Sequence, residues 1–214
     1  ELLLPRLDPA AEKSQPAIAK GLPAGPGGAK GRVVFESEKA VEWAEKKIPV
    51  ILVRDETSPE DVDGMHASKA ILTSKGGMTS HAALVARGWG KCCIVGCNEI
   101  EFNSEYTLFR TKSGKVIHEG DWISLNGTTG LVFEGALPLV SVNIDENDSY
   151  RELMKLVDET KELEVRSNVE TPEDALHAIH FGATGIGLFR TEHMFYGDNS
   201  EEPLFLLRKM IVSD

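Results

Sequence analysis

Ala70-Ile-Leu-Thr-Ser-Lys-Gly-Gly-Met-Thr-Ser-His-Ala-Ala-Leu-Val-Ala-Arg87 reads as a strand, a tight turn and a helix in succession. Ala70–Thr73 is a short apolar run of strand length. Gly76 and Gly77 permit a sharp turn and a close backbone approach. Thr79 or Ser80 can cap a helix over 79–87. His81 then falls in or near the first helical turn, where unpaired N–H groups and the positive end of the helix dipole gather. Cys92–Val95 follows as another strand. Upstream, Arg32–Phe35 is a strand, Ala40–Lys47 an amphipathic helix and Val50–Val53 a buried strand. Ser58-Pro-Glu-Asp61 announces one more helix, with a cap, a proline at the first position and two acids in the first turn. Short strands alternating with helices imply an α/β layer structure.

From 105 to 135 the character changes to strands and turns. Tyr106–Arg110, Val116–Ile117, Trp122–Leu125 and Leu131–Phe133 are the strands, and Ser113-Gly114 and Asn126-Gly127 the turns, which complete the same domain with antiparallel pairing. Gly21–Gly31 reads as a glycine- and proline-rich loop leading into Arg32–Phe35; it lacks the Gly-Lys-Ser/Thr ending of a nucleotide P-loop. Residues 1–20, with prolines at 5, 9 and 16, read as a linker or docking arm. A second linker is placed at 136–150. Beyond it come a helix over 151–162, a strand over 164–168, a helix opened by Thr171-Pro-Glu-Asp174 and a strand over 185–189, in βαβ order with a right-handed connection expected. Two strands do not make a stable sheet domain, so this half reads as the opening of a larger barrel or sheet. The ends Glu1-Leu-Leu-Leu-Pro5 and Ile211-Val-Ser-Asp214 suggest a fragment of a longer protein.

Lys and Arg total 23 against 34 Asp and Glu, a net charge of −11, with no basic patch, which argues against nucleic-acid binding. The longest apolar runs, such as Val50–Val53, are too short to cross a bilayer. Cys92, Cys93 and Cys97 are the three cysteines. They form no disulfide framework, and they fit an intracellular, reducing compartment. Zinc would want four paired ligands, and adjacent strand cysteines face opposite sides, so they read as small buried apolar residues.

The Lys75–Arg87 segment suits a histidine that accepts a phosphoryl group. A neutral imidazole is a competent nucleophile near neutral pH. An anion on it would meet backbone amides, that of Gly77 among them, and the Thr79 and Ser80 hydroxyls, with room left by Ala82 and Ala83. The plain alternative is a histidine in a capping region with no chemistry. Arg190 closes the strand Ile186–Phe189, where barrel strands present active sites, and its planar fork suits a phosphate or carboxylate. Its plain alternative is an ion pair with Glu192. Gly182, Gly185 and Gly187 are in the wrong order for a dinucleotide fingerprint, because a strand follows them. His66, His118, His177, His180 and His193 receive structural readings, and no metal site is expected in this stretch.

Gly76-Gly-Met-Thr-Ser-His-Ala-Ala83 resembles the phosphohistidine motif of the phosphoenolpyruvate (PEP)-utilising enzymes. Met78, Gly90-Lys-Cys-Cys93, Thr57-Ser-Pro-Glu-Asp61 with Gly64-Met-His66, His118-Glu-Gly-Asp-Trp-Ile123 and Gly185–Phe195 resemble the dikinase branch, in the expected order. Phe189 stands where that branch often has Cys. The resemblance implies a swivelling β/β/α phosphohistidine domain at 21–135, followed at 151–214 by the first βα units of an incomplete TIM-type barrel that binds PEP and pyruvate. It implies that His81 carries phosphoryl groups from ATP to inorganic phosphate and to pyruvate, that Arg190 binds the phosphate of PEP, and that Thr79 is a regulatory phosphorylation site. It also implies an upstream ATP-grasp nucleotide domain, the remainder of the barrel, Mg2+ with NH4+ or K+, and a full-length homodimer; the chain alone would lack turnover. PEP synthase, enzyme I of the sugar phosphotransferase system and a non-catalytic phosphocarrier or docking module are the competing readings. Cytoplasm, plastid and other organelles all stay open.

Overall fold

The computed structural model describes residues 4–140, 147–191 and 201–212. The chain divides into two compact units, Glu1–Arg151 and Glu152–Asp214.

In the first unit the order is β1 (Arg6–Leu7), α1 (Pro9–Ser14), β2 (Ala19–Lys20), β3 (Leu22–Gly25), β4 (Gly28–Val34), α2 (Ser37–Glu45), β5 (Val50–Arg54), a 3-10 turn (Pro59–Asp61), α3 (Val62–Ala67), β6 (Ala70–Thr73), α4 (His81–Gly88), β7 (Cys92–Val95), β8 (Ile100–Phe102), β9 (Leu108–Thr111), β10 (Val116–His118), β11 (Trp122–Asn126), β12 (Leu131–Glu134) and β13 (Leu139–Val140). One eight-stranded sheet runs β2-β12-β11-β4-β5-β6-β7-β3, and a three-stranded sheet runs β10-β9-β8. The four strands β4 to β7 are parallel, as the strand–helix alternation requires; the strands flanking them are antiparallel.

Both faces of the large sheet are covered, so its strands read as continuous apolar runs whose alternate residues enter different cores. Val50, Leu52, Ile71, Cys93 and Val95 join Ala40, Met65, Ala82, Ala83 and Ala86 of the helices. Ile51, Val53, Ala70, Leu72, Cys92 and Ile94 join Phe109, Ile117 and Ile100 of the small sheet. The result is the expected β/β/α stack. Adjacent Cys92 and Cys93 face opposite cores, and all three thiols are free and buried. Burial pushes them up, Cys92 and Cys93 to about 12 and Cys97 to about 11.

Three stretches depart from expectation. Gly21–Gly31 is not a plain loop: it supplies β3 and the first half of β4. Its glycines are there because other backbone lies against them. A Cβ at Gly25 would strike the Lys91 carbonyl, and one at Gly31 would lie 2.8 Å from the Val50 carbonyl carbon. Residues 6–20 do not stand free of the domain. β1 pairs with β13, β2 pairs with β12, and Leu7 and Ile18 are buried, so the apolar side chains between the prolines anchor this stretch. β13 likewise lies inside the expected 136–150 linker; 141–146, with much of the polar run from Asn143, fall outside the described residues.

The second unit takes most of α5 (Asp148–Thr160), then β14 (Arg166–Asn168), α6 (Pro172–His180), β15 (Gly185–Leu188) and α7 (Glu201–Val212). β14 and β15 are parallel, with α6 as the crossover. Thr171 caps α6, and the Asp174 carboxylate accepts from the Thr171 N–H at 3.0 Å, the box that Thr171-Pro-Glu-Asp174 predicts. Leu156, Ile179, Ile186 and Leu188 are exposed, and Val169 is the one buried apolar side chain among the described residues of this unit. Such a pair of strands fits the start of a larger sheet.

Candidate functional site

β5, β6 and β7 all end at one edge of the large sheet, and the loops after them build a site there, as open parallel sheets do. The loop after β6 is fixed by backbone. The Gly96 N–H donates to the Lys75 carbonyl at 3.1 Å and the Ser80 N–H to that of Gly77 at 2.9 Å. Gly76 has φ +90°, and Gly96 has φ +59° with its Cα side against the Gly76 carbonyl, so both must lack a Cβ. Ser80 is the N-cap of α4, its hydroxyl accepting from the Ala83 N–H at 3.4 Å. His81 is therefore the first helical residue, and its own N–H and that of Ala82 have no carbonyl behind them in the helix. Buried Ala82, Ala83 and Ala86 seat the helix tightly on the sheet beneath.

The His81 ring is half-buried. Its Nδ1 lies 3.2 Å from Oγ1 of Thr57, a buried hydroxyl on the loop after β5. Nε2 has no partner among the described residues. Nδ1–H donating to Thr57 is the arrangement that leaves the Nε2 lone pair free. Nothing local in the sequence couples Thr57 to a histidine 24 residues on, so sequence reading missed it. Thr79 is exposed, and space over Gly77 is open: a Cβ there would touch nothing within 4 Å. Asp55 holds the start of the loop, accepting from Ser74 and Lys75. Burial works to raise the Asp55 pKa, but the hydrogen bonds from Lys75 and Ser74 and the Lys75 charge outweigh it and leave the group below its ordinary value. The same bond, then the Asp55 charge, raises Lys75. A cleft of about 480 Å³ lies beside this loop, lined by Lys75, Asn98, Phe102 and Tyr106 and not by His81.

Arg190 follows β15, and its Nη1 donates to Glu170 Oε1 at 2.6 Å. Glu170 follows the other parallel strand, so both residues sit at the C-terminal ends of β14 and β15. The expected alternative partner, Glu192, and the supporting His193 lie outside the described residues. The Arg190 side chain stays 41% exposed, which leaves part of its fork open to an anion. Of the other described histidines, His66 meets Trp89 edge-on, Nδ1 of His118 lies 3.5 Å from Asp121, and His177 and His180 sit in the last turn of α6.

Residues 47–130 match the mobile domain of the PEP-utilising enzymes, and residues 145–208 match the PEP-binding domain of the same enzymes. The chain belongs to the PEP-utilising enzymes. Among relatives of that family, pyruvate, phosphate dikinase 2 of Oryza sativa subsp. japonica is 49% identical over 214 residues, covering 100% of this chain and 24% of the relative. Pyruvate, phosphate dikinase of Clostridium symbiosum is 48% identical with the same coverage. The chloroplastic pyruvate, phosphate dikinase of Flaveria trinervia is 51% identical over 218 residues, covering 100% of this chain and 22% of the relative. The chain thus spans about a quarter of the length of these curated relatives. The mobile-domain match contains Thr57, Thr79 and His81; the PEP-binding match contains Glu170 and Arg190.

Proposed function

We propose that this chain is the central phosphoryl-carrying part of a pyruvate, phosphate dikinase, converting ATP, inorganic phosphate and pyruvate into AMP, pyrophosphate and PEP. About half-identity to dikinases along the whole chain supports the branch. One observation carries the site: a half-buried imidazole at the first position of α4, with Nδ1 on Thr57 and Nε2 without a partner among the described residues.

On this reading Nε2 of His81 attacks the β-phosphorus of ATP. An N–P bond forms, the bond from that phosphorus to the α,β-bridging oxygen breaks, and AMP leaves. The terminal phosphoryl then passes to an oxygen of inorganic phosphate, giving pyrophosphate. Pyruvate loses a methyl proton to a base that this proposal places in the rest of the barrel, and the remaining phosphoryl passes to the resulting enolate oxygen as the N–P bond breaks, giving PEP and restoring the imidazole. Thr57 keeps the Nδ1 proton in place throughout, and the N–H groups opening α4, the amide of Gly77 and the Thr79 and Ser80 hydroxyls stabilise the added charge. Arg190, positioned by Glu170, holds the phosphate of PEP.

Among the described residues no group of three or more His, Cys, Asp or Glu is placed to hold a metal. In this proposal Mg2+, NH4+ or K+, the ATP-grasp domain, the rest of the barrel and the dimer contact belong to other parts of the full-length protein. Thr79 is exposed two residues before His81, so a phosphoryl on it would add about −1.5 to −2 charge and repel incoming phosphate, which suits a regulatory site. Free buried thiols suit a reducing compartment, and among the described residues no helix is long and apolar enough to cross a membrane.

The test is labelling of the full-length protein by PEP. An acid-labile phosphoryl group should map to His81 and vanish in His81→Ala; undiminished labelling of that variant refutes the assignment. Phosphate-dependent ATP cleavage with pyrophosphate formation separates a dikinase from a synthase, which uses water, and from a carrier that passes phosphoryl to a protein.

A further inference from the structure

The motif that caps α6 in the second unit occurs twice in the chain, and its two copies differ in a way that capping does not explain. Thr171-Pro-Glu-Asp174 is exposed; the Asp174 carboxylate accepts from the Glu170 and Thr171 N–H groups, and its own N–H donates to the Thr171 hydroxyl. In Ser58-Pro-Glu-Asp61 the carboxylate is buried, with Asp61 4% exposed. Oδ2 accepts from the Ser58 N–H at 2.9 Å and from its hydroxyl at 3.3 Å. Oδ1 faces Nη2 of Arg54 at 3.4 Å, and Nη1 of Arg54 donates to the Phe35 carbonyl at 2.9 Å. A cap requires neither burial nor an arginine, as α6 demonstrates.

The Ser58 N–H belongs to the peptide that joins Ser58 to Thr57, and Thr57 is the residue that meets His81 Nδ1. The loop carrying Thr57 is clamped at its other end by Asp55, which accepts from Ser74 and Lys75 at the start of the histidine's own loop. Two carboxylates, one buried and backed by arginine, thus fix residues 55–58, of which Thr57 touches the imidazole through its hydroxyl. Small displacements there matter, because a hydrogen bond at 3.2 Å has little slack before it ceases to select a tautomer. We propose that Asp61, braced by Arg54, is a positioning residue for His81: it fixes the Thr57 peptide so that the imidazole is held as the Nδ1–H tautomer with Nε2 free. This rests on the reading of Nε2 as the phosphoryl acceptor but concerns the resting imidazole alone.

The test is nitrogen-15 NMR of the histidine rings in the 214-residue chain, with His81 assigned by its loss in His81→Ala. The pH is set high enough that the ring is neutral. The unsubstituted chain should show Nδ1–H as the major His81 tautomer. Asp61→Asn keeps the shape but places a donor against either Ser58 or Arg54, and it should at least halve the Nδ1–H share. Thr57→Val should do the same, and Thr57→Ser should retain the original signals. Asp174→Asn, which damages the other cap, should leave His81 unmoved. Where Asp61→Asn fails to fold, Arg54→Met serves, with a smaller change in the same direction. An unchanged His81 tautomer in a folded Asp61→Asn or, failing that, Arg54→Met chain overturns the proposal. No phosphoryl donor is present, so failure of the carrier reading shows only in the labelling experiment and failure of this one only here.

Discussion

The two units carry their candidate residues on different foundations. His81 stands on a sheet whose two faces are both closed, with Leu52, Ile71, Leu72 and Ile94 all at 0% exposure beneath it. Arg190 stands on two strands whose apolar side chains remain largely in solvent, Ile186 at 52% and Leu188 at 45%. Both sites lie at the C-terminal ends of parallel strands, so topology alone does not separate them. What separates them is how much buried hydrocarbon resists a change of backbone position. The His81 geometry is set by three loops rising from one packed edge, whereas the Arg190–Glu170 pair ties the ends of only two strands.

Amide hydrogen exchange on the 214-residue chain addresses this directly. Protection follows the cooperative unit to which a bond belongs, and few buried contacts mean easy opening. Amides of Leu52 and Ile71 should exchange at least about a thousandfold more slowly than those of Ser167 and Ile186. Equal protection would show that the second unit supports itself and that its exposed side chains cost it little.

The same contrast governs what the sequence disclosed. A cap at Thr79 or Ser80 and His81 in or near the first helical turn were legible because a cap, a Gly-Gly turn and an apolar helix face are local signals, and the structure selects Ser80. So was the capping box at Thr171. The strands at 22–25 and 28–31 were not, because their determinant is backbone from Lys91 and Val50 lying where side chains would be, and a glycine does not announce what it touches. Thr57 escaped for a related reason: its role exists only once β5 and β6 are neighbours. Glu170 as partner of Arg190 required the parallel pairing of β14 with β15, while the sequence offered the nearer Glu192. Long-range pairing created each of these features, and local chemistry carried no trace of it.

A smaller effect is expected from single core substitutions. Leu72→Ala removes a side chain sealed between the large and small sheets and should cost about 3 kcal/mol in the main unfolding transition. Leu156→Ala removes one that is 57% exposed on α5 and should stay within about 0.5 kcal/mol. Denaturant midpoints of the two variants at constant slope decide it. A comparable loss from both would mean that α5 covers apolar surface as effectively as the β/β/α stack does.

The smallest effect concerns two carboxylates, one in each unit, whose pKa values are both held down. For Asp55 burial opposes the shift, and hydrogen bonds from Lys75 and Ser74 outweigh it. For Asp174 the Thr171 hydroxyl leads, followed by the Glu170 and Thr171 backbone. A depressed carboxylate adds stability that is fully present above the unfolded value, about 3.9, and is lost as pH falls through the lower folded value. Asp55→Asn should therefore lower the stability of the first unit at pH 7 by about 0.5 kcal/mol, given how exposed its partner Lys75 is. The gap from the unsubstituted chain should narrow as pH drops below about 3.9 and shrink in high salt. Asp174→Asn carries the same sign of linkage, but only for the folded unit to which it belongs. If the two units open independently, it leaves the main transition unmoved at every pH while releasing α6 amides to faster exchange above pH ~4. A shift of the main transition by Asp174→Asn would instead show that the exposed helix unfolds together with the packed stack.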